Sequence, residues 1–513
     1  MHRINLFLIA ALCYLFTSCE DLIDDLPQDK ILVDAFFTNP TDAEAVLIGA
    51  YSQTFQSSVY TNFLFYDNRS SDDLTAPLDG EETDRVMFRP NMNSNAGEAA
   101  GLYGASYNAL ATINLAIEEV SAMPDEVFFN PEQPELNRKN EIVGEARFLR
   151  AFVYYHMTSF YGDIPLVTEY PKSENPEDYL IGRTPRSEIM EQVMMDLDSA
   201  ELYLPMNHNA LFIAGPPNEF EEAKQSKGRA TKGAAMLMKA RIFIMNQEWQ
   251  RAIDKCRELI ALGEYQLEQD YTQIFSSDGG PSVNQNSSES ILEIQTLAGP
   301  GEFNNTGGYA WFHQDGARPR RGASQEAFNL FQGSRENPED VRKFVSMAQV
   351  VDEPQFIYAV KYANSPPWWN PDNGDFFNFV PMRLSEAYLI IAEALNELEG
   401  PNQESLTIIN TFRARAFNPD IPTTGIEPFT LPADQDAFRQ MIREERRREL
   451  IFEGHAFRDM MRYDSYDGGT RAMESLGLDE SNKGRVLFPI PQQEIIFYER
   501  FNKGDLLPQN PDY

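Results

Sequence analysis

A chain of 513 residues with 42% hydrophobic side chains is long enough for roughly two to four domains or one large helical array, and too apolar for wholesale disorder. Its 79 acidic against 43 basic residues leave a formal charge of -36, which argues against nucleic acid as a partner and against membrane binding through protein charge. Three cysteines, Cys13, Cys19 and Cys256, with no CxxC and no Cys/His set at zinc spacing, argue against a disulfide scaffold or a zinc module.

The chain starts with a short positive end at Arg3 and the apolar run LFLIAALCYLF, Leu6 to Phe16. Such a run is too short for a membrane-spanning helix, which needs ~20 residues, and fits the apolar core of a secretory signal. Thr17 and Ser18 precede Cys19, and the acids Glu20, Asp21, Asp24 and Asp25 follow. The pattern resembles a bacterial lipobox, with Phe16 where that pattern usually has Leu. The resemblance implies a diacylglyceryl group on the Cys19 sulfur and cleavage before it; an ordinary signal with a chance cysteine is the alternative. Residues 1–18 are then a lipoprotein-type signal and residues 19–30 an acidic tether. No later stretch approaches ~18 consecutive apolar residues, so the membrane is reached only through the lipid.

The body reads as mainly α. Three segments, Glu145–Tyr155, Gly233–Phe243 and Ser385–Leu395, carry alanines five positions apart: Ala146/Ala151, Ala235/Ala240 and Ala387/Ala392. Five residues turn a helix by about 140°, so each pair of small residues faces two neighbours and admits close approach. Apolar stripes accompany them: Ile142, Ala146, Leu149, Val153; Ala234, Leu237, Met238, Met245; Tyr388, Ile391, Leu395, Leu398. Partner helices are predicted over Leu102–Val120, Arg186–Leu204, Glu248–Leu262 and Glu404–Phe417. Helix pairs with small contact residues are the signature of a tetratricopeptide-like array, here with irregular spacing; an ordinary helical bundle is the plainer alternative. Short strands are predicted near Ser290–Thr296 and Gln355–Tyr362, without a large sheet. Cys256 falls in a helical pattern and reads as a small buried hydrophobe.

Long insertions interrupt the helices. One holds YDNRSSDD, Tyr66 to Asp73, where Asp67, Asn68, Arg69 and Asp72 offer carboxylates and a guanidinium to sugar hydroxyls. A second holds Tyr309, Trp311 and Phe312 in a Gly-rich stretch with Arg318, Arg320 and Arg321, and a third holds Trp368 and Trp369 after two prolines. Three of the four tryptophans therefore lie in two loops, where indole faces can stack on sugar C–H groups or cover the core beneath. The arginines bind an acidic sugar or decorate the loop, and Asp67–Asp73 is alternatively a solvated acidic loop or a helix cap. PDNGD, Pro371 to Asp375, offers oxygens to calcium but lacks a complete calcium-loop signature, so no cofactor or metal is expected beyond that weak candidate. Arg443, Arg446, Arg447 and Arg448 interleave with Glu444, Glu445 and Glu449, which reads as a salt-bridged helix joined by Arg458, Asp459 and Arg462. HExxH, G-x-S-x-G and P-loop patterns do not occur, so the chain is not read as an enzyme.

In five ordered segments the chain resembles the SusD/RagB family of outer-membrane nutrient-binding lipoproteins. They are SCEDLIDDLPQDK (Ser18–Lys30); GEARFLRAFVYYHMTSFYGDIPLV (Gly144–Val167); RLSEAYLIIAEALNEL (Arg383–Leu398); ERRRELIFEGHAFRDMMRY (Glu445–Tyr463); and LFPIPQQEI (Leu487–Ile495) with QNPDY (Gln509–Tyr513). Phe497–Leu507 departs from the shorter spacer usual there. The resemblance implies a single SusD-like domain over 31–513, with an N-terminal part of about 31–225 and a C-terminal part of about 226–513. It implies four tetratricopeptide-like helix pairs with irregular loops opposite them. It further implies a cell-surface lipoprotein that captures a glycan on its looped face and passes it to a SusC-like TonB-dependent transporter. A peptide-binding member of the family and a scaffold without small ligand are the rival readings.

Overall fold

In the computed structural model the described residues are 36–75, 93–95, 97–129, 137–173, 175–208, 228–275, 286–295, 322–331, 340–350, 353–359, 361–362, 378–416 and 428–513. The principal helices are α1 (Pro40–Phe55), α2 (Asn62–Ser70), α3 (Gly97–Ala122), α4 (Arg138–Tyr161), α5 (Arg186–Tyr203), α6 (Lys232–Met245), α7 (Trp249–Ala261), α8 (Leu384–Glu399), α9 (Gln403–Arg415), α10 (Gln435–Leu450), α11 (Ala456–Asp467) and α12 (Gln492–Arg500). Four consecutive pairs, α1/α3, α4/α5, α6/α7 and α8/α9, pack side by side, with α3 on α4, α5 on α6 and α7 on α8 joining pair to pair. That succession is a tetratricopeptide-like array rather than a plain bundle.

The small-residue reading accounts for the spacing. Ala146, Ala151, Ala235, Ala240, Ala387 and Ala392 are all fully buried, and the stripe from Ile142 to Val153 is sealed. Leu398 departs from its expected place: it is 46% exposed on the last turn of α8. Cys256 is buried and unbonded, and burial pushes its thiol well above the usual range.

Neither α1 nor α2 was legible as a helix. α1 opens with a capping box, in which Asn39 accepts from the Thr41 and Asp42 amides while Asp42 accepts from the Asn39 amide, followed by Pro40 at the first helical position. α2 contains the polar YDNR segment, expected to be a loop. Phe63, Leu64, Phe65 and Tyr66 are buried on every side of it, so no amphipathic period marks it.

α4 ends where Gly162 takes φ +71 and donates its amide to Thr158, a conformation that favours glycine. Asp163 then caps α5 by accepting from the Arg186 amide at 2.8 Å. The chain end closes this corner: Phe488 donates to the Phe160 carbonyl at 2.6 Å, and Asn510 donates to the Tyr161 and Phe488 carbonyls at 3.0 and 2.6 Å. The lengthened Phe497–Leu507 spacer packs inward too, with the Tyr498 hydroxyl donating to Ile181 and the Arg183 amide donating to Leu506.

Six strands complete the architecture among the described residues: β1 (Leu74–Thr75), β2 (Ser290–Ile294), β3 (Gly322–Ala323), β4 (Met347–Val350), β5 (Glu353–Ala359) and β6 (Phe379–Arg383). They form a four-stranded sheet in the order β1-β3-β5-β4 and a two-stranded sheet, β2-β6, with every pairing antiparallel.

Candidate functional site

A buried lattice of charge lies beneath the sheets. Arg383, at the end of β6, donates to Glu453 (2.7 and 2.8 Å), Glu289 (2.8 Å) and Glu449 (2.6 Å). Arg415 of α9 shares Glu289 and Glu449, and Arg342 bonds Asp340, Glu445 and Glu449. Lys361 reaches Glu453 at 2.5 Å, the Tyr271 hydroxyl and the Ile451 carbonyl at 2.9 Å each. Burial opposes ionisation of Glu449, yet Arg415, Arg383 and Arg342 together hold it far below the usual carboxylate range. At Lys361 burial, aided by the charge of Arg383, outweighs Glu453 and brings its ammonium down to about 8. The expected arginine-rich helix is thus α10, and it is salt-bridged: Arg446 and Arg462 both hold Asp459, Arg448 holds Glu444 and Glu445, and Arg447 holds Asp73 and Glu326, while Arg458, expected to join them, pairs with Asp67 of α2. Sequence reasoning found this helix but not Arg342, Lys361, Arg383 and Arg415, which arrive from separate elements.

On this platform sits the four-stranded sheet, and the chain's long loops spring from it. Thr75 of β1 precedes residues 76–92; Gly322 of β3 follows residues 296–321; Tyr362, just after β5, precedes residues 363–377. β1 and β3 pair through Leu74 with Ala323 and Thr75 with Gly322, and the Ser324 amide donates to the Asp73 carbonyl at 2.9 Å. The Asp72–Asp73 segment and the base of the loop bearing Tyr309, Trp311 and Arg320 are therefore held side by side. Tyr309, Trp311, Arg320, Trp368 and Trp369 themselves lie outside the described residues, as do Cys19, Arg318, Arg321 and the 371–375 segment. Among the described residues no group of three or more His, Cys, Asp or Glu side chains is placed to hold a metal ion. A cleft of about 260 Å³ opens beside β1, lined by Asp73, Glu326, Leu330, Arg443, Arg447 and Tyr463 among others.

The early polar cluster divides. Asp67, Asn68 and Arg69 are buried on α2 and serve the protein, which corrects their expected place on a ligand-facing loop. Asp67 accepts from the Phe457 amide (3.2 Å) and lies 3.1 Å from the Arg458 guanidinium, and Asn68 donates to the Phe452 carbonyl (3.1 Å). Arg69 stacks on Phe65 with its guanidinium carbon 4.3 Å from the ring centre. Phe452 has φ +62, a strained conformation for a buried aromatic residue, and Gly454 follows at φ +75. α2 thus clamps the turn that delivers Glu453 and His455. Burial outweighs Arg458 and raises the Asp67 carboxyl to about 6. Asp72 alone of the four is only half-buried, at the sheet edge; burial raises its carboxyl and Glu326 adds to the effect.

Residues 357–513 match the profile described as the SusD family, and residues 25–244 match the profile described as starch-binding associating with outer membrane. The chain belongs to the SusD/RagB family. It is 26% identical to the SusD-like protein P25 of Formosa agariphila, with 96% of each chain covered. The fold superposes on a SusD homolog from Bacteroides thetaiotaomicron with a TM-score of 0.73 at 20% identity, covering 94% of this chain and 98% of that one. It superposes on a laminarin binding SusD-like protein with a TM-score of 0.66 at 19% identity, covering 93% and 100%. The motifs that carry the family resemblance are, in the structure, the helix-terminating Gly162 corner and the buried Arg383–Glu449–Glu453 lattice.

Proposed function

We propose that this SusD/RagB protein is a non-catalytic glycan-binding lipoprotein of the outer-membrane surface, which captures oligosaccharide on the loops of its four-stranded sheet. The observation that carries the reading is topological: the loops with three of the four tryptophans and the half-buried Asp72 are anchored on one sheet and its flanks. Indoles supply stacking faces for sugar rings, while carboxylates and guanidiniums satisfy the hydroxyls. The outer-membrane wording of the family description and the laminarin-binding relative support it. So does the state of the titratable groups: His156 and His455 are buried and their protonation is suppressed first by burial and then by neighbouring arginines, which leaves them poorly suited to proton transfer. Cys19 carries the lipid, and the helical array docks on a SusC-like TonB-dependent transporter.

Affinity electrophoresis against a panel of neutral polysaccharides, followed by calorimetry with matching oligosaccharides, tests the capture. One polysaccharide is expected to retard the protein, with Trp311→Ala or Trp368→Ala abolishing the retardation. Binding to peptides and to no glycan refutes it in favour of amino-acid nutrition. Palmitate labelling is expected in the wild type and absent in Cys19→Ser.

A further inference from the structure

A cleft of about 740 Å³ lies behind the wall formed by Arg446, His455 and Asp459, which separates it from the smaller cleft beside β1. Its sides come from α4, α5, α6, α8, α10 and α11, so it belongs to the helical array and not to the loops. Five guanidiniums and three carboxylates line it, an excess of positive charge in a chain of formal charge -36. Two of the carboxylates are committed: Glu386 takes a double-pronged bond from Arg241 (2.8 and 2.6 Å), and Asp459 takes Arg446 and Arg462. The cations are not fully matched. Arg446 and Arg458 each keep a buried Nη1 without a hydrogen-bond partner.

Arg186, the first residue of α5, is the least compensated. Its backbone amide is capped by Asp163, but among the described residues its guanidinium has no carboxylate partner and touches only the Met245 sulfur at 3.3 Å. Burial lowers its proton affinity, and the nearby Tyr155 and Asp163 offset that only in part. Met190, Met194 and Ile242 supply an adaptable apolar wall beside it. A volume within the usual ~300–1,000 Å³ of small-molecule sites, an apolar wall and uncompensated forked donors together define a receptor for an oxyanion on a small organic body.

We propose that this cleft is a second binding site, for a small ligand bearing a carboxylate or sulfate, with Arg186 as its principal contact and Glu191 at the rim as a repulsive gate. The site is independent of the loop tryptophans. The oxyanion belongs either to an acidic saccharide or to a free inorganic anion.

The test is calorimetry on the full chain at low salt with tri-galacturonate, a neutral trisaccharide and sodium sulfate. Tri-galacturonate binds saturably. Arg186→Gln weakens it about tenfold or more, as loss of a charge-assisted bond requires, and Glu191→Gln tightens it severalfold. The opposite signs separate a charge effect from damage to the fold, and neither variant removes an ion pair seen in the structure. Trp311→Ala leaves this binding unchanged, so failure here and failure of loop capture are distinguishable. Sulfate that binds alone, with the same two shifts, assigns the site to a free oxyanion. A neutral trisaccharide that binds equally well, or affinity indifferent to Arg186→Gln, overturns the proposal.

Discussion

Arg383→Met tests whether the buried lattice, rather than apolar packing alone, fixes the C-terminal half. Arg383 is 1% exposed and donates to three glutamates and to the Glu449 carbonyl. Methionine fills much of the space but leaves the three carboxylates around it short of a cation. None is stranded outright: Glu453 keeps Lys361, Glu289 keeps Arg415, and Glu449 keeps Arg415 and Arg342. Breaking a buried pair costs about 3–5 kcal/mol, and this sharing places the expected loss near the lower end, about 3 kcal/mol. Arg257→Gln is the control, because the Arg257–Glu404 pair is half-exposed on both sides and is expected to matter by less than about 1 kcal/mol. Urea unfolding of both variants against wild type, at matched salt, provides the comparison. The pH dependence has a definite sign. Glu449 and Glu289 are depressed in the fold, so their contribution is complete above the ordinary carboxylate range and fades as pH falls through it. The gap between wild type and Arg383→Met is therefore expected to narrow from pH 6 toward pH 4. An Arg383→Met midpoint equal to that of Arg257→Gln would refute the reasoning, since the lattice would then contribute no more than a surface pair.

Three other outcomes follow from the same coordinates. Gly162→Ala places a Cβ 2.8 Å from Leu487 Cδ1 at φ +71, and a loss of about 1–3 kcal/mol is expected by urea unfolding, with α4 and the chain end fraying together in hydrogen exchange. Asp67 has a raised carboxyl, so the folded state holds its proton more tightly and this group's contribution falls as pH rises from the ordinary carboxylate range through about 6. Asp67→Asn is expected to flatten that part of the stability profile, and a wild-type slope surviving the change would contradict the assignment. Cys256, buried with a raised thiol, is expected to resist iodoacetamide in the folded protein and to react in urea, as read by peptide mass mapping.

The array was legible because its information is local. Alanine pairs and 3.6-residue stripes in α4, α6 and α8 record, within single helices, how closely neighbours approach, and the interleaved charges of α10 announce a salt-bridged helix. The lipobox-like start is equally local. What sequence order concealed was the environment of polar side chains. Asp67, Asn68 and Arg69 read as a sugar-binding loop because acids, amides and arginine suit sugars, yet they are sealed on α2 against Phe457, Phe452 and Phe65. Nothing local marks Arg342, Lys361, Arg383 and Arg415 as a group, yet they share glutamates that lie up to 126 positions away in the chain. A charge is inexpensive in water and costly in an apolar interior unless an opposite charge meets it there. That meeting depends on which helices pack together, so the helices were written in the sequence and the partners of their charges were decided by the tertiary fold.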